Sequence, residues 1–284
     1  MFRVTRLITL LLLMTGIAQA EDSLSDFFAI IRTEGRNLSA EGRTRTFQIY
    51  EQYATGKKSL DGEWPAINDA LGDSDNYVRN QACAVLGAIA LVKSTAVYGP
   101  PQKIPIPGPI QTLLIQRFDD ALANTRENAV RIVISMAGGV PPSLGPKLLQ
   151  MAKNDSEGNV REIAVSALAS IPMPSPAITE FWITTLSDAR NKQMRGYVLH
   201  AFRFYAPSDG RVISLVVDAL KDQDHYVKQE AIASVIAIGK PAAGAVPLLM
   251  EVRDAANGPS EFDQTMRQNA EAAIRKLSES VPAR

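Results

Sequence analysis

Two histidines, His200 and His225, and a single cysteine, Cys83, are the residues of this chain best suited to nucleophilic or metal chemistry. A thiol nucleophile needs a base beside it, and a zinc site needs several ligands, usually spaced as Cys-x2-Cys or His-x3-His. Neither spacing occurs here. Cys83 directly follows Ala82 in an apolar-periodic stretch, the setting of a buried, inert thiol. The two histidines fall eight positions apart in a repeat frame described below, about 12 Å along neighbouring helices at the helical rise. They read as surface or packing residues. The Gly-x-Ser-x-Gly elbow, the Gly-x-Gly-x-x-Gly turn, the phosphate loop and the His-Glu-x-x-His helix are all missing. No catalytic residue, cofactor or metal ligand is therefore assigned, and what remains is the chemistry of an interaction surface.

The elements that must carry such a surface are legible from the N-terminus onward. Arg3 and Arg6 precede an apolar run over 7–14, and Ala18-Gln19-Ala20 precedes Glu21, so residues 1–20 read as an export signal. That predicts a protein of the periplasm, or a secreted one. The apolar run is shorter than the roughly 20 residues a spanning helix requires, and no other stretch qualifies. Thirty basic residues balance thirty acidic ones, with no block of either sign, so a nucleic-acid partner is not expected. One cysteine cannot form an internal disulfide, which leaves stability to an apolar core built from the 46% of residues that are hydrophobic.

Self-similarity is the strongest signal. Leu71-Gly-Asp-Ser-Asp-Asn-Tyr-Val-Arg-Asn-Gln-Ala82 and Leu220-Lys-Asp-Gln-Asp-His-Tyr-Val-Lys-Gln-Glu-Ala231 share Leu, both Asp, Tyr, Val and Ala at the same offsets. With the basic residue as anchor, the frame recurs at Arg79, Arg126, Arg161, Arg195, Lys228 and Arg267, spaced by 47, 35, 34, 33 and 39 residues. Three positions after each anchor stand Ala82, Ala129, Ala164, Val198, Ala231 and Ala270; seven after stand Leu86, Val133, Leu168, Phe202, Val235 and Ile274. A four-residue step marks one helix face. Six before the anchor stand Asp73, Asp120, Asp155, Asp222 and Glu261, with Asp188 slipped to seven before, and this acid is expected to start the second helix of each unit. Further apolar-periodic segments precede each acid, and Pro65, Pro109, Pro141, Pro174, Pro207 and Pro241 are expected where first helices begin. Strand signals are missing outside the signal region.

This pattern, acid-x5-Arg/Lys-x2-Ala-x3-Leu at a period near 35, resembles the HEAT-repeat family, especially its short bacterial form of the phycobilisome-lyase type. The resemblance covers 61–284 and implies an all-α, right-handed α-solenoid of about six helix pairs, with 21–60 as a helical cap. It also implies a structural ladder between neighbouring units, with Asp73 and Arg79, Asp120 and Arg126, Asp155 and Arg161, and Asp222 and Lys228 in that role. The slip at Asp188 and the lysine at 228 predict the least regular stacking around the fourth and fifth units.

In such a stack the second helices line the inner surface. Tyr77, Gln81, Asn128, Tyr197, Tyr226, Glu230 and Gln268 are the candidate partner-binding residues on it, because tyrosine and amide side chains suit peptide contacts. The long first spacing holds a proline-rich insertion over 98–109, in which Pro101, Pro105 and Pro107 are further candidates; a stiff connector over the core edge is the alternative. The resulting expectation is a non-enzymatic scaffold or adaptor holding a protein or peptide partner. A lyase acting on a protein-bound tetrapyrrole and a structural subunit of an envelope assembly are the alternatives.

Overall fold

Apolar stripes at helical spacing form helices, and the computed structural model, which describes residues 22–94 and 103–279, contains fourteen α-helices and no β-strand among them. They come in seven antiparallel-reading pairs: α1 (Leu24–Glu34) and α2 (Ala40–Ala54), α3 (Trp64–Leu71) and α4 (Asn76–Ser94), α5 (Gly108–Gln116) and α6 (Ala123–Ile134), and α7 (Gly145–Asn154) and α8 (Gly158–Ala169). Then follow α9 (Pro176–Ser187) and α10 (Lys192–Phe202), α11 (Gly210–Asp218) and α12 (His225–Ile238), and α13 (Val246–Ala255) and α14 (Glu261–Glu279). Each pair packs internally, and the second helices pack on one another in unbroken succession from α2 to α14. The fold is an all-α solenoid. The pair α1 and α2 joins the stack through the same two layers, α1 against α3 and α2 against α4.

The repeat frame explains the core. All six residues three positions after the anchors are buried, and so are Leu86, Val133, Leu168, Phe202 and Val235 seven after. A small residue followed one turn later by a large one lets neighbouring second helices approach and then fills the space between them. Helix ends are made locally. Ser23 caps α1 and Asp26 returns the bond to the Ser23 N–H, while Gly35, at φ 61°, ends that helix in a conformation side chains resist.

Two sequence expectations shift. The acid of the repeat frame opens the second helix only at Glu261, the first residue of α14; elsewhere it sits three residues ahead of the helix, four for Asp188, where its Oδ1 accepts the N–H two residues on: Asp75 N–H to Asp73, Leu122 to Asp120, Glu157 to Asp155, Arg190 to Asp188 and Asp224 to Asp222. A short carboxylate reaches its own turn more easily than the next helix. Likewise Pro65 and Pro109 lie in first turns, but Pro141 and Pro174 come before α7 and α9, whose first turns hold Pro146 and Pro176. Pro207 precedes α11, and Pro241 lies in a 3-10 turn ahead of α13, in whose first turn Pro247 stands.

The second carboxylate oxygen builds a ladder that runs between units. Arg79 Nε donates to Asp120 Oδ2 at 2.7 Å, Arg126 grips both oxygens of Asp155 at 2.7 and 2.8 Å, and Arg195 Nη2 meets Asp222 at 2.7 Å. With its other arm each arginine donates to backbone carbonyls of its own turn, Asp73 and Ser74 for Arg79, Asp120 for Arg126, Asp155 and Ser156 for Arg161, and Asp188 for Arg195. A guanidinium thus staples two successive turns, which an ammonium cannot do. The carboxylate of Asp73 is filled by Arg32 of the first helix α1, at 2.9 Å. Two rungs are missing among the described residues. Arg161 makes no ion pair with Asp188, whose one-residue slip turns it toward its own Arg190, and Asp222 is taken by Arg195, leaving Lys228 outside any ion pair.

The ladder makes acid stability predictable. Burial pushes the Asp155 carboxyl up, but the Arg126 bond, the Glu157 N–H and the arginine charges outweigh it and hold the group below the ordinary carboxylate range; Asp73 is lowered in the same way by Arg32 and the Asp75 N–H. A lowered folded value means the stabilisation is complete above about pH 4, the unfolded aspartate range, and is lost as pH falls through the folded values. Urea midpoints should fall between pH 4 and pH 2.5, and Asp155→Asn should show a smaller fall. An equal fall in the variant would remove Asp155 from the explanation.

Candidate interaction surface

Residues one, five, eight and nine positions after the anchors are half-buried or exposed, except Gly87, Ser135 and Gly196, so the succession α4, α6, α8, α10, α12, α14 presents one continuous face. At its first end Tyr77 is half-buried under the Arg36 guanidinium, 5.8 Å from the ring centroid. Gln81 and Asn128 are half-buried, and the Asn128 side chain fits against Gly87, where a Cβ would touch it. Gln268, on α14, is exposed.

The middle of the face holds the densest group of charges. Glu127 pairs with Arg131 on α6 at 2.6 Å. On α12, Glu230 receives Arg203 at 3.3 Å and lies 3.3 Å from His200 Nδ1, both on or just after α10. Glu162, on α8 between these groups, is pushed up by burial, a shift that the charges of Glu127 and Glu230 reinforce and His200 and Arg131 oppose. Tyr226 is pushed up to about 12 by burial and by the charges of Glu230 and Glu162. Its ring packs against Gly196, where any side chain would overlap ring atoms Cε1 and Cδ1, so the missing Cβ at 196 is what seats this tyrosine.

Two expected contact residues are withdrawn from the surface. Tyr197 is buried between α8 and α10, its hydroxyl accepting from Gln193 at 2.5 Å and standing close to Gly158, whose lack of a side chain makes the room. Glu230 is buried too, beneath Arg203 and His200. Their frame position, two after the anchor, faces the neighbouring helix rather than solvent, which a single-helix reading of the sequence does not reveal. Tyr226 remains exposed.

The proline-rich insertion divides in the same way. Pro101 lies outside the described residues. Pro105 is exposed and Pro107 half-buried, but Ile104 and Ile106, which alternate with them, are buried. Ile104 exchanges backbone bonds with Ser135 and Ala137, and Lys103 Nζ donates to the Ile134 carbonyl. Alternation of proline out and isoleucine in makes this stretch a strap sealing the end of α6. Cys83 is buried, and burial pushes its thiol up to about 12, far from the thiolate a nucleophile needs. His225 is exposed, edge-on to Phe262 at 4.8 Å.

Phe204, which the sequence analysis does not single out, lies two residues past α10 and is 67% exposed beside Arg203, whose guanidinium lies 5.8 Å from its ring centroid. The signal was present in the frame, since nine positions after the anchor the other units carry Ala88, Ser135, Ser170, Ala237 and Lys276.

No protein-family model matches the sequence, and no curated protein matches it significantly. Similar solved structures include engineered proteins and designed armadillo repeat proteins. An engineered protein of the Northeast Structural Genomics Consortium is 16% identical over 90% of this chain and 71% of its own, with a TM-score of 0.48. A designed armadillo repeat protein in complex with the peptide (KR)4 is 17% identical over 88% of this chain and 99% of its own, with a TM-score of 0.41.

Proposed function

We propose that this chain is an exported HEAT-like repeat protein of the cell envelope, most simply of the periplasm, that holds a protein or peptide partner on its second-helix face without catalysing a reaction. The reading is supported by the signal-like N-terminus, by the acid-to-arginine pattern of the repeats, and by the lack of any motif for nucleophilic or nucleotide chemistry in the sequence. One observation carries it: the second helices pack on one another in unbroken succession, with arginines joining three of the successive turns that lead into them, while Phe204 and Tyr226 stay exposed beside it. Rigid aromatic side chains on a rigid support are the usual anchors of protein interfaces, since they bury area with little loss of conformational freedom.

Crosslinking in the native cell envelope, followed by purification of the tagged protein, tests the reading. The wild type should retain a specific, saturable partner that the double variant Phe204→Ala, Tyr226→Ala loses while keeping its helical spectrum. Identical yields from wild type and variant, or none from either, would count against it, and a chain retained with its N-terminal 20 residues in the cytoplasm would remove the export part.

A further inference from the structure

Where the second helices end, the strap closes the pair α5 and α6 with two backbone bonds: Ile104 N–H donates to the Ser135 C=O at 3.2 Å, and the Ile104 C=O accepts the Ala137 N–H at 3.0 Å. Ser135 and Ala137 stand nine and eleven positions after the anchor Arg126, and Ile104 and Ile106 stand four and two before α5. Nine and eleven after Arg195 stand Phe204 and Ala206, just past α10. The Phe204 C=O and the Ala206 N–H make no hydrogen bond among the described residues. Four and two before α9 stand Pro172 and Pro174, with Met173 between them, and all three are exposed. Proline at 172 has no N–H to give, so the strap's first bond cannot be made here by the same position of this chain.

Among the described residues no other unit offers this pair of groups. In α4 and α14 both offsets are still helical, after α8 the second is Pro172, and after α12 the Gly239 N–H is bonded to the Val235 C=O. Between the loops 169–174 and 205–209 lies a cavity of about 580 Å3, lined by the buried Trp182, Phe202 and Val212 and the half-buried Tyr205. Its one charged lining residue is Asp209, whose Oδ1 accepts the Arg211 N–H and Nε and whose Oδ2 meets Arg211 Nη2 at 3.0 Å. No charge is left over for a charged occupant. A free carbonyl and a free N–H two residues apart, beside an apolar cavity, match an uncharged segment in extended conformation.

We infer that the edge of the pair α9 and α10 takes an extended segment of a partner protein as the strap it lacks. One residue of the segment donates its N–H to the Phe204 C=O and accepts the Ala206 N–H, as Ile104 does at α6, and its branched aliphatic side chain enters the cavity against Trp182 and Phe202. This site goes beyond the second-helix face, since it uses loop backbone and the cavity rather than the exposed rings of Phe204 and Tyr226.

A positional-scanning library of labelled heptapeptides, screened by fluorescence anisotropy against the purified protein, tests it. Val, Ile or Leu should be selected at one position with uncharged residues on both sides. Methylating the backbone nitrogen of that residue should weaken binding at least about fivefold, the scale of a lost hydrogen bond whose acceptor stays covered. Methylating the next nitrogen, which faces away in an extended segment, should change it less than about twofold. Amide exchange at Ala206 should slow at least about tenfold in the complex, the scale of one protecting hydrogen bond. Thr179→Trp, which narrows the cavity, should weaken binding at least about tenfold. Its helical content and urea midpoint are compared with the wild type first; should it fail to fold, the methylated peptides and the Ala206 exchange decide. Equal effects of methylation at both nitrogens, or unchanged exchange at Ala206, would overturn the strand pairing in favour of a pocket for an apolar group. Binding indifferent to a folded Thr179→Trp, selection of a charged residue at the central position, or selection of no peptide would overturn the site altogether. None of these outcomes bears on the second-helix face, which crosslinking of the Phe204→Ala, Tyr226→Ala variant decides.

Discussion

Replacing Asp120 by alanine is expected to destabilise the protein by about 3 to 5 kcal/mol, the scale of breaking a buried charge pair from one side. The Asp120 side chain is 1% exposed and does three things at once. It accepts from Arg79 of the preceding unit at 2.7 Å, it accepts the Leu122 N–H of its own turn at 3.1 Å, and it lies 3.7 Å from Arg117. Removing it strands two guanidinium groups, one of which already has a buried Nε without a hydrogen-bond partner. The control lies two units on. Asp188 is 37% exposed and pairs only with Arg190, itself 93% exposed, so Asp188→Ala should cost about 1 kcal/mol or less. Urea unfolding of both variants, with slopes compared to confirm that the same surface unfolds, measures the difference. Equal costs would show that the staple between turns contributes nothing beyond the local turn.

A pair of phenylalanines two residues apart provides the second large effect. Phe202 is 1% exposed and meets Trp182 edge to face, with centroids 5.4 Å apart, at the junction of α9 and α10. Phe202→Ala should cost about 3 to 5 kcal/mol through lost burial and the cavity left behind. Phe204→Ala should stay within about 0.5 kcal/mol, because that ring already faces solvent. Since a solenoid is held only by neighbouring units, the loss at Phe202 falls beside the interface that lacks an Arg161 to Asp188 rung. Hydrogen exchange should therefore accelerate in α9 and α10 before it does in α4 and α6. Uniform acceleration along the stack, or a midpoint change for Phe204→Ala matching that for Phe202→Ala, would contradict the assignment.

Much of this was legible because repeats are local. A small residue three positions after a basic anchor and a large apolar one four further on specify a buried helix stripe without reference to any other part of the chain, and Ala129, Val133, Ala164 and Leu168 are buried as that spacing requires. The slip at Asp188 was visible as well, since one residue is enough to turn a short carboxylate away from a neighbouring unit. Contacts across units were less accessible. Asp73 and Arg79 lie six apart in sequence, yet the Asp73 carboxylate belongs to Arg32, forty-one positions away. Nothing in the local pattern of α1 marks Arg32 for that role.

By itself the sequence determined the helical class, the period and the acid-and-arginine residue types of the ladder, because each is set by spacing within a single unit and by side-chain size and charge. The tertiary structure decided which arginine meets which aspartate, since that depends on the offset between stacked turns. It also decided that Tyr197 and Glu230 turn inward while Tyr226 and Phe204 stay out. An outer position on one helix becomes surface or interior only when the next helix is laid beside it, and glycines at 158 and 196 set how closely it is laid.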